Sequence, residues 1–152
     1  FFDSYLDAID VDISENINFN NVQIVNSGND GIDFMESKSK LKKIDVINSG
    51  DKGLSVGENS NIELNDSNIS DNNYGVVSKD SSMAILKNSK IINNKIQLAV
   101  YKKNWRYGRS GNIELHNVEL DEENNTFQSD KSGSIIFKSE NYNNNIKYEK
   151  LK

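Results

Sequence analysis

The sequence predicts an all-β solenoid of about six stacked coils with a 22-residue period, and three observations carry that prediction. Gly31, Gly53 and Gly75 lie 22 residues apart, and each precedes an apolar residue: Ile32, Leu54 and Val76, then Leu98 at the next step, where Gln97 replaces the glycine. Two further apolar rows keep the same beat, Phe19/Leu41/Leu64/Leu86/Leu115/Phe137 and Ile24/Val46/Ile69/Ile91/Leu120. Within each unit the apolar residues alternate with polar ones, as in Ile9/Val11/Ile13, Ile44/Val46, Ile62/Leu64 and Ile113/Leu115. Period two marks strands, and a fixed repeat of roughly 20 to 50 residues marks a solenoid or related array. One coil cannot bury its inward side chains alone. Stacking coils about 4.8 Å apart joins their strands into parallel sheets and buries the rows against one another.

Taken in order, the coils run 6–28, 29–50, 51–72, 73–94, 95–123 and 124–142, each with three short strands. The first carries Ile9/Val11/Ile13, Phe19 and Ile24; the second Ile32, Leu41 and Val46; the third Leu54, Leu64 and Ile69; the fourth Val76, Leu86 and Ile91. The fifth is irregular: Leu98 to Phe127 spans 29 residues, so about seven have been inserted near 102–111. The rows then resume, since Ile113 to Ile135 and Leu115 to Phe137 are again 22 apart. Residues 1–142 therefore form the repeat module, and the charged segment 143–152 is expected to be a tail or cap. The chain opens Phe1-Phe2 without Met, already inside a strand pattern, and is expected to be part of something longer.

Between strands the chain needs corners. Asn21, Lys43, Asp66, Asn88 and Asn117 form one polar corner row. Asn26, Asn48, Asp71 and Asn93 form a second, suited to an asparagine ladder whose amides bond along the stack while the backbone turns left-handed. These rows account for an excess of 25 Asn in 152 residues. Asp before Gly fits turn chemistry, with the carboxylate capping backbone N–H groups and Gly taking positive φ.

Composition narrows the function classes. With no Cys, disulfides and thiolate metal sites are excluded. No apolar run is long enough to span a membrane. Net charge is −5, but residues 1–36 hold eight acids and no Lys or Arg, while all 18 bases follow. A chain without a broad basic face is not expected to bind nucleic acid.

Stacking brings particular residues together. Asp7, Asp30, Lys52 and Tyr74 fall in one column, and Asp10, Asp33 and Ser55 in the next. Carboxylates in adjacent coils raise one another's pKa or recruit a cation, so Asp7, Asp10, Asp30 and Asp33 are the candidates for a Ca²⁺ site. The alternative is that they are turn residues, with Lys52 a surface partner of little energetic worth. The insertion Tyr101–Gly111 concentrates the only Trp, Trp105, and both Arg, Arg106 and Arg109, with Tyr101, Lys102, Lys103 and Tyr107. Aromatic faces stack on sugar rings, and Arg forks bind carboxylate, sulfate or phosphate. Tyr101, Lys103, Trp105, Arg106 and Arg109 are therefore the candidate binding residues. The bland alternative has Trp105 folded back on the outer sheet face or packed on a neighbouring domain.

Asn-rich units of the form I-x-N-S-G-D-x-G-I-x-V resemble right-handed parallel β-helix repeats over nearly the whole chain, in the pectate-lyase-like family. The stretches "DAIDVDIS", "NDGIDF", "GDKGLSVGENS" and "AVYKK…YG" resemble a bacterial subgroup joined to spore-coat-H-like kinase domains or envelope proteins. The resemblance implies an extracellular or cell-envelope location and a polysaccharide partner. "N-D-G-I-D" and "S-G-D-K-G" are similar to polygalacturonase motifs, which puts Asp30 and Asp51 on two of that family's three catalytic acids. Lys52 stands where the third would be. Asn73-Tyr74-Gly75 stands where the family has Gly-His-Gly, and the sole histidine, His116, lies elsewhere. A lyase or epimerase would need a base and a charge neutraliser, for which Lys52, Lys79 or Arg106 near Asp30 are the candidates. The expectation is a non-catalytic module that binds or scaffolds towards an acidic glycan or an adjacent domain, with no cofactor; Ca²⁺ on the four acids is the alternative. The rival is a polysaccharide lyase or epimerase using Asp30, Asp51 and Lys52.

Overall fold

The computed structural model describes residues 1–121 and 126–138, with the backbone of 147–150. Its strands are parallel and form two sheets. The first contains Ile9–Asp12, Ile32–Met35, Lys52–Gly57, Tyr74–Lys79, Ile96–Tyr101, Thr126–Ser129 and Lys147–Lys150, stacked in chain order. The second bends around a corner and so supplies the other two faces of the coil. Its first two members, Glu15–Val25 and Lys38–Ile47, run unbroken through that corner at Asn21 and Lys43. From the third coil the corner splits the strand in two, as in Asn61–Asn65 with Asn68–Ser70 and Met83–Lys87 with Lys90–Ile92. Three strands per coil thus holds in the third to fifth coils, while the first two coils fuse a pair.

All three apolar rows stack as their spacing requires. Ile32, Leu54, Val76, Leu98 and Phe127 are successive register partners in the first sheet. Phe19, Leu41, Leu64, Leu86, Leu115 and Phe137 are partners on one flank of the second, and Ile24, Val46, Ile69, Ile91 and Leu120 on the other. They meet in one continuous core, in which Ile32, Leu54, Leu64, Leu86 and Ile91 are fully buried. The insertion leaves the ladder intact, because Leu98 pairs with Phe127 and Ile113 with Ile135. The first sheet continues into the C-terminal segment, where Lys147–Lys150 lies parallel to Thr126–Ser129. The boundary expected at 142/143 lies outside the described residues.

Both corner rows adopt left-handed backbone, with φ between 48° at Asn88 and 61° at Asn26 and Asp71. Asn48 Nδ2 donates to Asn26 Oδ1 at 2.8 Å, one rung of the expected ladder. The more buried ladder lies one residue further on: Asn72 donates from its backbone N and its Nδ2 to Asn94 Oδ1, at 3.0 and 2.8 Å, while Asn72 Oδ1 accepts the N–H of Ser49. A third left-handed corner, Ile13, Glu36, Glu58 and Asp80, was not marked by Asn and escaped the sequence reading. Beside it runs a serine ladder, in which the N–H groups of Ser14, Ser37 and Ser60 donate to the hydroxyls of Ser37, Ser60 and Ser82.

One expectation is corrected. No glycine has positive φ. Gly31, Gly53 and Gly75 are instead required by space: a Cβ on Gly53 would lie 2.8 Å from Asn72 Nδ2 and 2.9 Å from the Gly75 carbonyl, and one on Gly75 would lie 2.8 Å from an Ile91 methyl. The 22-residue glycine beat therefore records a close approach of the strand entry to side chains of its own coil and to a carbonyl of the next, and most left-handed turns fall on Asn, Asp, Lys and Glu.

Candidate functional site

The outer face of the first sheet carries the chemistry. Its outward central row, Asp10, Asp33, Ser55, Val77 and Ala99, is in register from coil to coil, as the columns require. On one side of that row Lys52 and the two acids of the catalytic alternative come together. Lys52 Nζ lies 3.2 and 3.4 Å from the two carboxylate oxygens of Asp30 and hydrogen-bonds Asp51 Oδ2. The backbone N–H of Lys52 also donates to Asp30 Oδ1, at 3.0 Å. Asp30 is 2% exposed and Lys52 7%, so the surface pair expected of Lys52 is in fact a buried one. Burial pushes the Asp30 carboxyl above the ordinary carboxylate range against the opposing pull of Lys52. Burial also pulls on the Lys52 ammonium, but the Asp51 hydrogen bond and the charges of Asp30 and Asp51 outweigh it and hold the proton more firmly than usual. The Tyr101 phenol, pushed up to about 12 by its own burial, has Lys52, Asp51, Tyr74 and Asp30 as its electrostatic neighbours.

The four acids of the cation alternative are used differently. Asp7 Oδ1 accepts the backbone N–H of Asp30 at 2.8 Å and the amide of Asn29, and Asp30 does the same for Lys52 one coil on. These are caps on the strand entry. Asp10 and Asp33 are direct register partners, and burial, Asp12, Asp33 and Asp7 together raise the Asp10 carboxyl. Lys79 answers Asp33, its Nζ 3.8 Å from Oδ1, and is itself 4% exposed. Among the described residues no group of three or more His, Asp or Glu side chains is placed to hold a metal ion. Lys79 therefore attends Asp33 rather than Asp30. The third lyase candidate, Arg106, sits on Trp105 instead, its guanidinium carbon 5.9 Å from the ring centre. His116 pairs with Glu114 at 3.5 Å on the second sheet.

The inserted loop is pinned at several points. The buried Asp80 carboxylate accepts the N–H groups of Lys103 and Asn104, both at 2.7 Å. Asp130 accepts the N–H of Lys102 and the Ser110 hydroxyl, and Ser81 exchanges hydrogen bonds with Arg109. The Tyr107 hydroxyl reaches back three coils to Glu36 Oε1 at 2.6 Å, and that bond lifts the phenol to about 12. Trp105 is 82% exposed, so it does not fold back on the sheet. Arg106, Arg109, Lys102 and Lys103 form no ion pair among the described residues. The five candidate binding residues thus divide: Lys103, Trp105, Arg106 and Arg109 share the loop, while Tyr101 belongs to the Lys52 cluster.

The sequence reading missed the residues that hold the loop. Asp80 and Glu36 lie on the third corner, and only their 22-residue spacing with Glu58 could have marked them. The half-buried Glu58 carboxyl is raised by its partial burial, opposed by Lys79.

With this geometry in view, a family model described as "Right handed beta helix region" matches residues 1–119. No curated protein and no solved structure matches the chain. Among the described residues no helix is long and apolar enough to cross a membrane.

Proposed function

The chain belongs to the right-handed β-helix family, and from that premise we propose that it is a non-catalytic module of a larger bacterial surface or secreted protein that binds an acidic glycan through the loop 102–111. The observation that carries this reading is an indole 82% exposed on a loop whose backbone is tied down on both sides. An exposed aromatic on a mobile loop would lose ordering entropy on binding; a pinned one loses little. Trp105 offers a ring face for a sugar, and Arg106, Arg109 and Lys103 offer donors for its carboxylate or sulfate. A neighbouring domain of the same protein is the other partner such a platform fits. The lyase or epimerase reading is less well supported, because Asp30 and Lys52 are nearly closed to solvent and spend their polar atoms on each other.

The test is a glycan array spanning polygalacturonate, alginate and sulfated polysaccharides, with turnover assayed on every hit. The parent should bind an acidic glycan, and Trp105→Ala with Arg106→Ala should abolish binding while shifting stability by no more than about 1 kcal/mol, as exposed-site changes usually do. Binding that survives the double change, or an array with no acidic hit, would sink the proposal. Turnover of a hit would favour the enzyme.

A further inference from the structure

Lys52 is a buried primary amine that glycan binding does not use, and its surroundings are those of a condensation site. Its Nζ faces the Asp30 carboxyl group nearly symmetrically, 3.2 Å from Oδ1 and 3.4 Å from Oδ2. The backbone N–H of the same residue grips Oδ1 at 3.0 Å and fixes the carboxyl plane. A second carboxylate, Asp51, hydrogen-bonds the amine from the solvent side, its side chain 39% exposed while that of Asp30 is 3%. Tyr74 is the register partner of Lys52 in the next coil, and Tyr101 lies within its electrostatic reach. We propose that Lys52 and Asp30 condense to an isopeptide bond, with Asp51 as the proton carrier, so that the second and third coils are covalently stapled.

The step balances without a co-reactant. The ammonium passes one proton to Asp30, giving a neutral amine beside a neutral acid. The Nζ lone pair attacks Cγ, Asp51 takes a proton from the nitrogen and returns it to the departing hydroxyl, and water leaves. Ammonium plus carboxylate become amide plus water, and Asp51 ends as it began. Three features favour the reaction. The reacting groups are held in contact, Nζ against both carboxyl oxygens, so the amine has only to slide from the oxygen edge onto Cγ and no encounter has to be made. Burial favours the neutral form of Asp30. The product also removes two opposite charges from a poorly hydrated place. The acids keep the amine protonated for most of the time, so the reactive pair is a minor state and the bond forms slowly.

Asp30 precedes Gly31, and an Asp-Gly pair can lose water by a different route, attack of the glycine nitrogen on the same carboxyl to give a succinimide. Here the Gly31 N–H is committed to the Lys52 carbonyl at 2.7 Å within the coil-to-coil ladder, which disfavours that route. The two products have equal mass and are told apart by digestion.

The test is intact mass spectrometry on the folded chain after prolonged incubation at neutral pH, followed by tryptic mapping. The expected result is a species lighter by one water, resistant to trypsin after Lys52, that yields a branched peptide joining residues 1–38 to 44–79. Asp51→Asn, a change at a partly exposed side chain, should fold and keep the full sequence mass. A parent that retains its full mass overturns the proposal. So does a dehydrated parent that trypsin still cuts after Lys52, which is the succinimide. Dehydration as fast in Asp51→Asn as in the parent overturns the role given to Asp51.

Discussion

Leu86 and Ile85 are neighbours in one strand, similar in size, and face opposite ways; truncating each to alanine tests the architecture directly. Leu86 is fully buried between its register partners Leu64 and Leu115, whereas Ile85 stands outward and partly exposed between Glu63 and Glu114. Leu86→Ala removes three carbons, worth about 2.4 kcal/mol at about 0.8 each. The ladders above and below hold Leu64 and Leu115 in place, so part of the volume stays empty and adds about 1 kcal/mol. The sum is about 3.5 kcal/mol, and at about 2–4 °C per kcal/mol for a chain of this size the midpoint should fall by roughly 7–14 °C. Ile85→Ala loses only strand propensity and partial contact, about 1 kcal/mol or less. Thermal and urea unfolding followed by circular dichroism is the suitable assay, since the only tryptophan is already exposed and would report the core poorly. An Ile85→Ala variant that loses as much stability as Leu86→Ala would mean that the inward and outward faces have been exchanged.

Three other outcomes follow from the same contacts. Burial opposes Asp130, but the Ser110 hydroxyl and the N–H groups of Ser132, Lys102 and Gly133 outweigh it and hold its carboxyl below the usual range. Its folded pKa lies below the unfolded one, so its contribution is complete above the ordinary value of 3.8 and is lost as pH falls through the depressed one; Asp130→Asn should flatten the acid limb of a stability–pH curve, and an unchanged limb would refute this. Gly53→Ala should destabilise by at least about 1 kcal/mol through overpacking against Ile69 and Asn72 of its own coil and the Gly75 carbonyl of the next, and a variant as stable as the parent would show that the strand entry has room to shift. Because Asp7 and Asp30 already cap backbone N–H groups, millimolar Ca²⁺ should leave the melting temperature unchanged, whereas a rise would reveal a cation bound to the folded state.

The repeat was legible because its cause is local and periodic. Leu41, Leu64 and Leu86 must share a face if strands of period two stack in parallel, and nothing distant can alter that parity. The corners at Asn21 and Asn26 were legible for a related reason, since asparagine tolerates left-handed backbone better than most residues. The corner at Glu36, Glu58 and Asp80 was not, because glutamate gives no such signal and the stack imposes the turn on it. Glycine misled in the opposite direction: it suggested a positive φ where the real demand was clearance from the Ile69 and Ile91 side chains. At the site, the column of Asp30 and Lys52 could be read from spacing, but its burial could not. Tyr101 and Lys79, which crowd that face, come from later coils, and their reach across the sheet depends on rotamers rather than on register. The bond from Tyr107 to Glu36 joins residues 71 apart and has no periodic trace at all.

The loop at 102–111 leaves the stack at one corner and rejoins it with pairing undisturbed on both sides, Val100 with Ser129 before it and Asn112 with Ser134 after it. Backbone pairing joins each coil only to its two neighbours, so such an excursion disturbs no ladder, and the reach of Tyr107 to Glu36 is made by a side chain alone. The same left-handed corner recurs at Asp80, Glu58 and Glu36, one, two and three rungs down, at steps of about 4.8 Å. The fold thus behaves as a graduated rail with equivalent sockets. An appendage could be moved, copied or exchanged at any of them, and its distance from the first would be known in advance. What the molecule touches is in this sense written separately from what keeps it standing.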